Sequence, residues 1–143
     1  MLLYTDLNDR LARASRSAEL TTAEKDIVIV LSLHRGASNA IRSKELATLV
    51  GLMPGESSRR FVAATIETLV LLHQIPVGGL RVPPYGYFLI ETRNDLDLAV
   101  NARWNEIYAH LRYLRALTSK QDVARLFGQQ MLQLERESPE AAA

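Results

Sequence analysis

Residues 40–91 constrain the fold of this chain more than any other stretch. A short amphipathic pattern that Gly51 can end predicts one helix, and the turn Met53-Pro54-Gly55 separates it from a longer helix that begins at about residue 56. Two strand-like segments follow, on either side of a loop rich in glycine and proline at residues 78–84. The stretch therefore predicts the order helix, turn, helix and β-hairpin.

The strands of this hairpin are marked by different features. The return strand, Tyr85 to Ile90, is dense in aromatic and branched residues, whereas the outgoing strand begins at Ile75-Pro76-Val77, with a proline suited to a sheet edge. Ala40-Ile41-Arg42 can supply a short third strand that pairs with the hairpin. We therefore expect a small sheet beside the two helices.

Helical patterns also precede this stretch. Leucines recur every fourth residue in residues 3–18, which indicates an amphipathic helix with a narrow apolar face. Thr21 to Glu24 forms a capping box, in which Thr21 caps a helix and Glu24 reaches back to the cap. That helix is predicted to run to about His34.

Two further helices are predicted after the hairpin. Thr92 caps a long helix from about Arg93 to Leu117, with Asp95 as its capping partner, and Ser119 caps a last helix. The apolar sides of the two helices comprise Leu98, Ala102, Trp104, Tyr108, Leu111 and Leu114 in the first, and Val123, Leu126, Phe127, Met131 and Leu134 in the second. Both sides are long enough to pack on other helices.

Composition and charge narrow the class of protein. The chain has 143 residues, 48% of them apolar, and no cysteine, so it can bury a core and has no disulfide or thiolate metal site. Without a signal-peptide pattern or an apolar stretch long enough for a bilayer, we expect a cytoplasmic protein with no membrane partner. Net charge is only +1, but positive charge collects between His34 and Arg60.

The start of the second helix in residues 40–91 carries side chains suited to DNA. Arg59 and Arg60 can pair with guanine or bind phosphate there, and Ser57 and Ser58 can hydrogen-bond a phosphate or a base. Free amides at a helix start favour a phosphate as well. The alternative is a solvated first turn that binds no nucleic acid.

Three further cations are candidate backbone contacts. Arg42 and Lys44 stand at the start of the first helix, where each neutralised phosphate adds to the salt dependence of binding. Arg81 stands at the hairpin tip and can meet phosphate or the minor groove. Plain solvation is the alternative for all three.

Catalytic constellations are absent from the sequence. His34, His73 and His110 are far apart along the chain and lack the spacing of a zinc site. There is neither a phosphate-binding glycine loop nor a Gly-x-Ser-x-Gly elbow. We therefore expect no enzyme activity, no cofactor and no metal ion.

Several motifs resemble a winged helix-turn-helix DNA-binding family of phages, plasmids and bacterial genomes. They are His34-Arg35-Gly36 through Ala40-Ile41, Glu45-Leu46-Ala47, Ser58-Arg59-Arg60, Ile66, Ile75-Pro76-Val77 and Gly86-Tyr87-Phe88-Leu89-Ile90-Glu91-Thr92. The similarity spans about residues 24–117. It implies DNA binding through the second motif helix, at Ser58, Arg59 and Arg60, and through the hairpin wing at Arg81.

The chain departs from that family at Val70 and Leu71, which are apolar where polar residues are usual. These residues are a possible protein-binding surface. The side with Trp104, Tyr108 and Leu111 has two interpretations, a helix–helix interface or a small-molecule pocket. A homodimer accounts for the surplus apolar helix surface, and twofold symmetry would place two reading helices on successive major-groove faces.

The sequence thus predicts a mainly α fold with a small β-hairpin, a winged helix-turn-helix with extra helices at both ends. We expect an N-terminal helix in residues 1–20 that contacts a second subunit, the winged unit in residues 21–92, dimerisation helices in residues 93–137 and a disordered tail in residues 138–143. The predicted function is sequence-specific binding of double-stranded DNA by a homodimer, as a transcriptional regulator or a replication or partition accessory. The alternative is a winged-helix protein-interaction module that does not bind DNA.

Overall fold

The structure is a computed structural model that describes residues 4–137, so the predicted tail at residues 138–143 and Leu3 of the predicted first helix lie outside the described residues. The helices are α1 (Leu7–Arg16), α2 (Thr22–Leu31), α3 (Ser43–Leu49), α4 (Glu56–His73), α5 (Arg93–Leu117) and α6 (Lys120–Glu137); a 3₁₀ turn spans Ala37–Asn39, and the strands are β1 (Val77–Leu80) and β2 (Gly86–Leu89). The described part is mainly helical with a two-stranded antiparallel sheet, which confirms the predicted class.

The chain forms two compact units, with the division after Ala102 in α5. We call residues 4–102 unit 1 and residues 103–137 unit 2. Unit 1 has a core to which α1, α2, α3 and α4 all contribute. Its main cluster comprises Leu7, Leu11, Ala14, Leu20, Ile27, Val28, Leu31, Ile41, Leu46, Ala47, Val62, Ile66, Leu69, Ile75 and Leu89. α1 buries Leu7, Leu11 and Ala14 in this core, and the contact of residues 1–20 with a second subunit stays a prediction.

The cap of α2 is confirmed in part. Thr21 accepts a hydrogen bond from the Glu24 N–H at 3.2 Å, as the capping box predicts. The Glu24 carboxylate does not reach back, however, and its Oε2 lies 3.5 Å from Nε2 of His73, the last residue of α4. The helix ends at Leu31, short of His34. Glu24 Oε2 is buried without a hydrogen-bond partner in the described residues, so the second half of the predicted capping box is not formed.

The buried faces of α3 and α4 are narrower than the sequence indicates. Leu49 lies three residues after Leu46 and Leu72 three after Leu69, a spacing that predicts both to be inward, but Leu49 is 64% exposed and Leu72 is 74% exposed. In α3, Ala47 is buried beside Leu46 instead. Ser43, which is suited by residue type to cap this helix, is its first residue, and the N-cap residue is Arg42.

The outgoing strand of the hairpin extends further than predicted, the return strand is shorter than the predicted Tyr85 to Ile90, and the loop is shorter than predicted. Gly78 and Gly79 lie within β1, where they pair with Phe88 and Tyr87 of β2, so the loop is residues 81–85. A Cβ on Gly78 would come within 2.7 Å of the Phe88 ring. Glycine is therefore required here for close packing and not for a turn.

The predicted third strand is a short bridge between Ile41 and Tyr87. The N–H of each donates to the carbonyl oxygen of the other, both at 2.8 Å. Gly86, at φ +117°, lies against this bridge, and a Cβ there would overlap the Ile41 carbonyl. The bridge fixes Arg42 and the start of α3 beside the hairpin.

Asp95 is buried and fixes the start of α5. Its carboxylate accepts the N–H groups of Ala37 at 2.9 Å, Glu91 at 3.1 Å and Thr92 at 3.0 Å, and its own N–H donates to the Thr92 hydroxyl at 3.2 Å. Burial acts to raise the pKa of Asp95, but these hydrogen bonds outweigh it and hold the pKa below its ordinary value. The predicted Thr92 cap is confirmed, and Asp95 also ties α5 to the 3₁₀ turn.

Unit 2 consists of the later part of α5 and the described part of α6. Ser119 caps α6, as predicted, by accepting the Asp122 N–H at 3.1 Å. Described side chains of α6 are all at least partly exposed, and α5 buries none after Ala99. Within unit 2 the apolar sides of both helices are therefore at most partly covered in a single chain.

Candidate nucleic-acid interface

The way α4 is anchored decides which of its residues are presented. Its buried side chains are Val62, Thr65, Ile66 and Leu69. At about 3.6 residues per turn, the opposite face carries Ser57, Arg60, Ala64 and Glu67, all of them exposed. This face begins with small side chains and the cationic Arg60, and further along the helix it carries the acidic Glu67.

The first turn of α4 has no side-chain cap. Its N-cap residue is Gly55, at φ +142°, and the first backbone bond of the turn is from the Arg59 N–H to the Gly55 oxygen at 3.3 Å. The N–H groups of Glu56, Ser57 and Ser58 therefore lack a side-chain acceptor. Such a helix start carries partial positive charge and favours an anion.

Two cations stand beside this helix start. Lys44 of α3 and Arg59 of α4 line a depression of about 360 Å³, whose other walls include Thr48, Gly55 and Glu56. Within residues 4–137, neither the Lys44 ammonium nor the Arg59 guanidinium has an ion-pair partner. The structure thus brings together two predicted DNA-contact residues that the sequence separates.

Arg60 and Ser58 differ in how they are engaged. Arg60 Nε lies 3.7 Å from Glu56 Oε1, but both side chains are largely exposed, so this pair holds the arginine only weakly. The Ser58 hydroxyl donates to the carbonyl oxygen of Met53 and closes the turn before α4. Because a hydroxyl has one proton, Ser58 cannot donate to a phosphate while it makes this bond.

Arg42 lies at the hairpin. Its guanidinium carbon is 5.4 Å from the centre of the Tyr85 ring, a cation–π distance. Tyr85 ends the loop of residues 81–85, and Arg81, which is exposed, begins it. Sequence reasoning missed this partnership because it placed Tyr85 in the return strand, where alternating tyrosines are usually packed. The structure instead has Tyr85 just before β2.

Arg35 contributes to the framework of unit 1 instead of the cationic surface. It donates to the Ser32 carbonyl at 3.0 Å and to Asn8 Oδ1 at 2.8 Å, and it lies 3.6 Å from Glu91. Of the positive charges between His34 and Arg60, that of Arg35 is therefore engaged within unit 1 and is not part of the cationic surface.

Comparisons with known proteins give no family for this chain, so a functional assignment depends on the geometry described above. No protein-family model, curated protein or solved structure matches the chain. In the described residues, no helix has the length and apolar character to cross a membrane. Nor does this part of the chain gather three histidine, cysteine, aspartate or glutamate side chains that could hold a metal ion.

Proposed function

We propose that residues 21–92 form a winged helix-turn-helix that binds double-stranded DNA, and that the chain binds it as a homodimer. In this assignment α2, α3 and α4 are the three helices, α4 is the reading helix and the β1–β2 hairpin is the wing. The Ile41–Tyr87 bridge supports it, because it joins the segment before α3 to the hairpin.

The observation that carries the proposal is the open, cationic start of α4. Lys44 and Arg59 line, with Glu56, the depression at this helix start, whose amides have no side-chain acceptor. DNA offers a dense row of phosphates that can accept from such amides and pair with both cations. Ala63 and Ala64, both exposed, allow the backbone of α4 to approach a groove closely.

The residues divide by the part of DNA that they would contact. Ser57 and Arg60, on the outward face of α4, are the candidates for base edges, where arginine pairs bidentately with guanine. Arg59 and Lys44 are candidates for phosphate. Ser58 sets the turn that orients them, through its bond to Met53.

The hairpin would contact the flanking backbone. Arg42, placed over the Tyr85 ring, and Arg81, at the start of the loop, are its cationic candidates. Contacts of this kind fix the register of a protein on DNA without reading sequence. Sequence specificity therefore depends on Ser57 and Arg60 in this proposal.

Fluorescence anisotropy with a mixed-sequence duplex tests the role of α4. We expect Arg59→Ala/Arg60→Ala to weaken binding about 10-fold or more, since each lost contact is worth about 1–3 kcal/mol. Arg13→Ala/Arg16→Ala is the matched control, because it removes two exposed arginines from α1 and leaves α4 intact. Equal affinity of wild type and the α4 variant would contradict the proposal, as would the absence of binding by wild type.

Selection from a random duplex library tests specificity and biological role. A sequence-specific homodimer should enrich a repeated half-site with two copies one or more helical turns apart. An operator-like palindrome would favour a transcriptional regulator, and arrays of repeated sites would favour a replication or partition accessory. Recovery of unrelated sequences would contradict sequence-specific binding.

A protein-interaction module is the second candidate function, and the later half of α4 favours it. Val70 is 37% exposed, Leu71 68% and Leu72 74%. Three consecutive exposed apolar residues on a helix suit a protein partner better than DNA. If wild type shows no DNA binding in the anisotropy experiment, this alternative becomes the preferred one. If DNA binding is found, Leu71→Lys should leave it within about twofold, given that it adds one cation outside the first turns of α4.

A further inference from the structure

The part of α5 in unit 2 carries an apolar seam of four residues, Trp104, Ile107, Leu111 and Leu114. Their spacing of three, four and three residues is that of the a and d positions of a coiled coil. Trp104 is 55% exposed, Ile107 39% and Leu114 44%. A heptad seam places its side chains on one side of a helix, where they pack into the seam of another helix.

α6 has an apolar stripe of its own. Val123, Phe127, Met131 and Leu134 follow at spacings of four, four and three residues, which keeps them on one side of the helix. Yet the described part of α6 buries no side chain. Helices of this length gain most of their stability from packing an apolar face, so both helices of unit 2 need another surface to pack against.

The exposed area has the scale of a stable interface. Eight large apolar side chains on or beside the apolar faces of these two helices are between 39% and 68% exposed: Trp104, Ile107, Tyr108, Leu114, Leu117, Leu126, Met131 and Leu134. Monomeric proteins rarely expose contiguous apolar patches above several hundred Å². Stable dimers bury roughly 800 Å² per partner, which is what side chains of this number and size can supply.

We propose that a second copy of this chain covers the seam, with the two α5 helices antiparallel and α6 completing the interface. This gives the subunit contact of the homodimer in the proposed function, and in that respect it rests on that function. Its physical basis is separate, since it uses no residue of the candidate DNA interface.

The seam is self-complementary in the antiparallel arrangement. In coiled-coil geometry Trp104 then lies across from Leu114 of the second copy, and Ile107 across from Leu111, so that the largest side chain faces a smaller one. At the edges of the seam Arg103 lies near Leu117 of the second copy, and Arg115 near Asn101. The arginines are therefore kept apart, and the same register places His110 beside His110 of the second copy. A parallel pair would instead bring His110 close to Arg115.

Light scattering of the full chain tests the proposal. At tens of micromolar the wild type should have twice the 16.0 kDa chain mass, and Ile107→Lys/Leu111→Lys should have the mass of one chain, because buried lysines disfavour the paired state. Ala109→Lys/Ala116→Lys is the matched control: it adds two lysines to the far side of the same helix and should leave the mass doubled.

Circular dichroism shows whether the seam variant still folds, since its unit 1 core should unfold cooperatively at nearly the wild-type temperature. A wild type with the mass of one chain over the whole concentration range would overturn the proposal, and the seam would then belong to a different protein. A seam variant that keeps the doubled mass would overturn it too.

Cysteine cross-linking tests the arrangement in a chain that has no native cysteine. Tyr108→Cys should form a disulfide-linked dimer on oxidation, because the two copies of residue 108 meet near the middle of an antiparallel seam. In a parallel pair they lie on opposite edges, and Leu111→Cys would cross-link instead. Cross-linking at residue 111 without cross-linking at residue 108 would overturn the antiparallel arrangement.

The two proposals fail in different ways. The Arg59→Ala/Arg60→Ala variant should keep the doubled mass, because neither arginine is in unit 2. A wild type that binds DNA with the mass of one chain refutes the dimer in both proposals and leaves DNA binding through α4 standing. A wild type that has the doubled mass but does not bind DNA refutes DNA binding and leaves the dimer standing.

Discussion

Unit 1 buries apolar residues and unit 2 does not. The twenty buried apolar side chains of the described residues all belong to unit 1, which also exposes twelve large ones, whereas unit 2 buries none and exposes ten large ones. Unit 1 has thus completed its core within one chain. The stability of unit 2 must instead depend on what packs against it, so the same kind of substitution should have different consequences in the two units.

Removal of a large side chain should show this difference most clearly. Phe88 is fully buried, and Phe88→Ala should lower the free energy of unfolding by about 3–5 kcal/mol. Leu114→Ala, on the seam of unit 2, should leave unfolding of the monomer within about 1 kcal/mol of wild type and weaken self-association instead. Urea denaturation at two protein concentrations separates the effects. If both variants lost similar free energies of unfolding, independent of protein concentration, this difference between the two units would be contradicted.

Replacing a glycine by alanine should have opposite effects on stability in the two units. Gly86→Ala adds a Cβ at φ +117° against the Ile41 carbonyl, so it should destabilise unit 1 by about 2 kcal/mol or more and weaken DNA binding. Gly128 has open space where a Cβ would lie, and Gly128→Ala should stabilise α6 by about 0.5–1 kcal/mol. Denaturation for the first and helical circular dichroism for the second are the measurements. A neutral Gly86→Ala would refute the close approach of β2 to Ile41.

Asp95 at the start of α5 and Asp122 at the start of α6 occupy similar capping positions, but their replacement should have different effects on stability. Asp95→Asn should cost about 1–2 kcal/mol near neutral pH, because an amide cannot accept all the N–H groups that the buried carboxylate does. Asp122, exposed at the start of α6, is the matched control, and Asp122→Asn should stay within about 0.5 kcal/mol of wild type.

Acid titration shows how the stability difference between wild type and Asp95→Asn should change with pH. The pKa of Asp95 is lower in the folded than in the unfolded state, so its contribution is complete above the unfolded value of about 3.9 and is lost as pH falls through the folded pKa. The wild-type advantage over Asp95→Asn should therefore shrink in acid. An advantage that is constant from neutral pH to about pH 2 would show that the carboxylate charge is not what stabilises this cap.

Local patterns in the sequence were enough to predict the cap at Thr92, the bounds of α5 and the bridge at Ile41. These features depend on neighbouring residues or on a distinctive strand. The prediction that Gly78 and Gly79 belong to the loop was wrong: both lie in β1, and Gly78 gives room to the Phe88 ring. That requirement comes from a residue on the opposite strand, so a local pattern cannot show it.

Long-range pairs also limited the prediction of the site. The sequence placed Arg59, Arg60 and Ser57 at the start of α4 correctly, because turn and helix signals are local. It did not show that Lys44 shares a depression with Arg59, nor that Arg42 lies over the Tyr85 ring. Both facts depend on how separate elements pack.

The salt dependence of DNA affinity tests the central claim most directly, namely that unit 1 binds DNA through the start of α4. For wild type and for Arg13→Ala/Arg16→Ala, the logarithm of the binding constant should fall linearly with the logarithm of salt concentration. For Arg59→Ala/Arg60→Ala the slope should be shallower by about one to two, according to whether one or both arginines contact phosphate. A slope equal to that of wild type, with equal affinity, would contradict the claim.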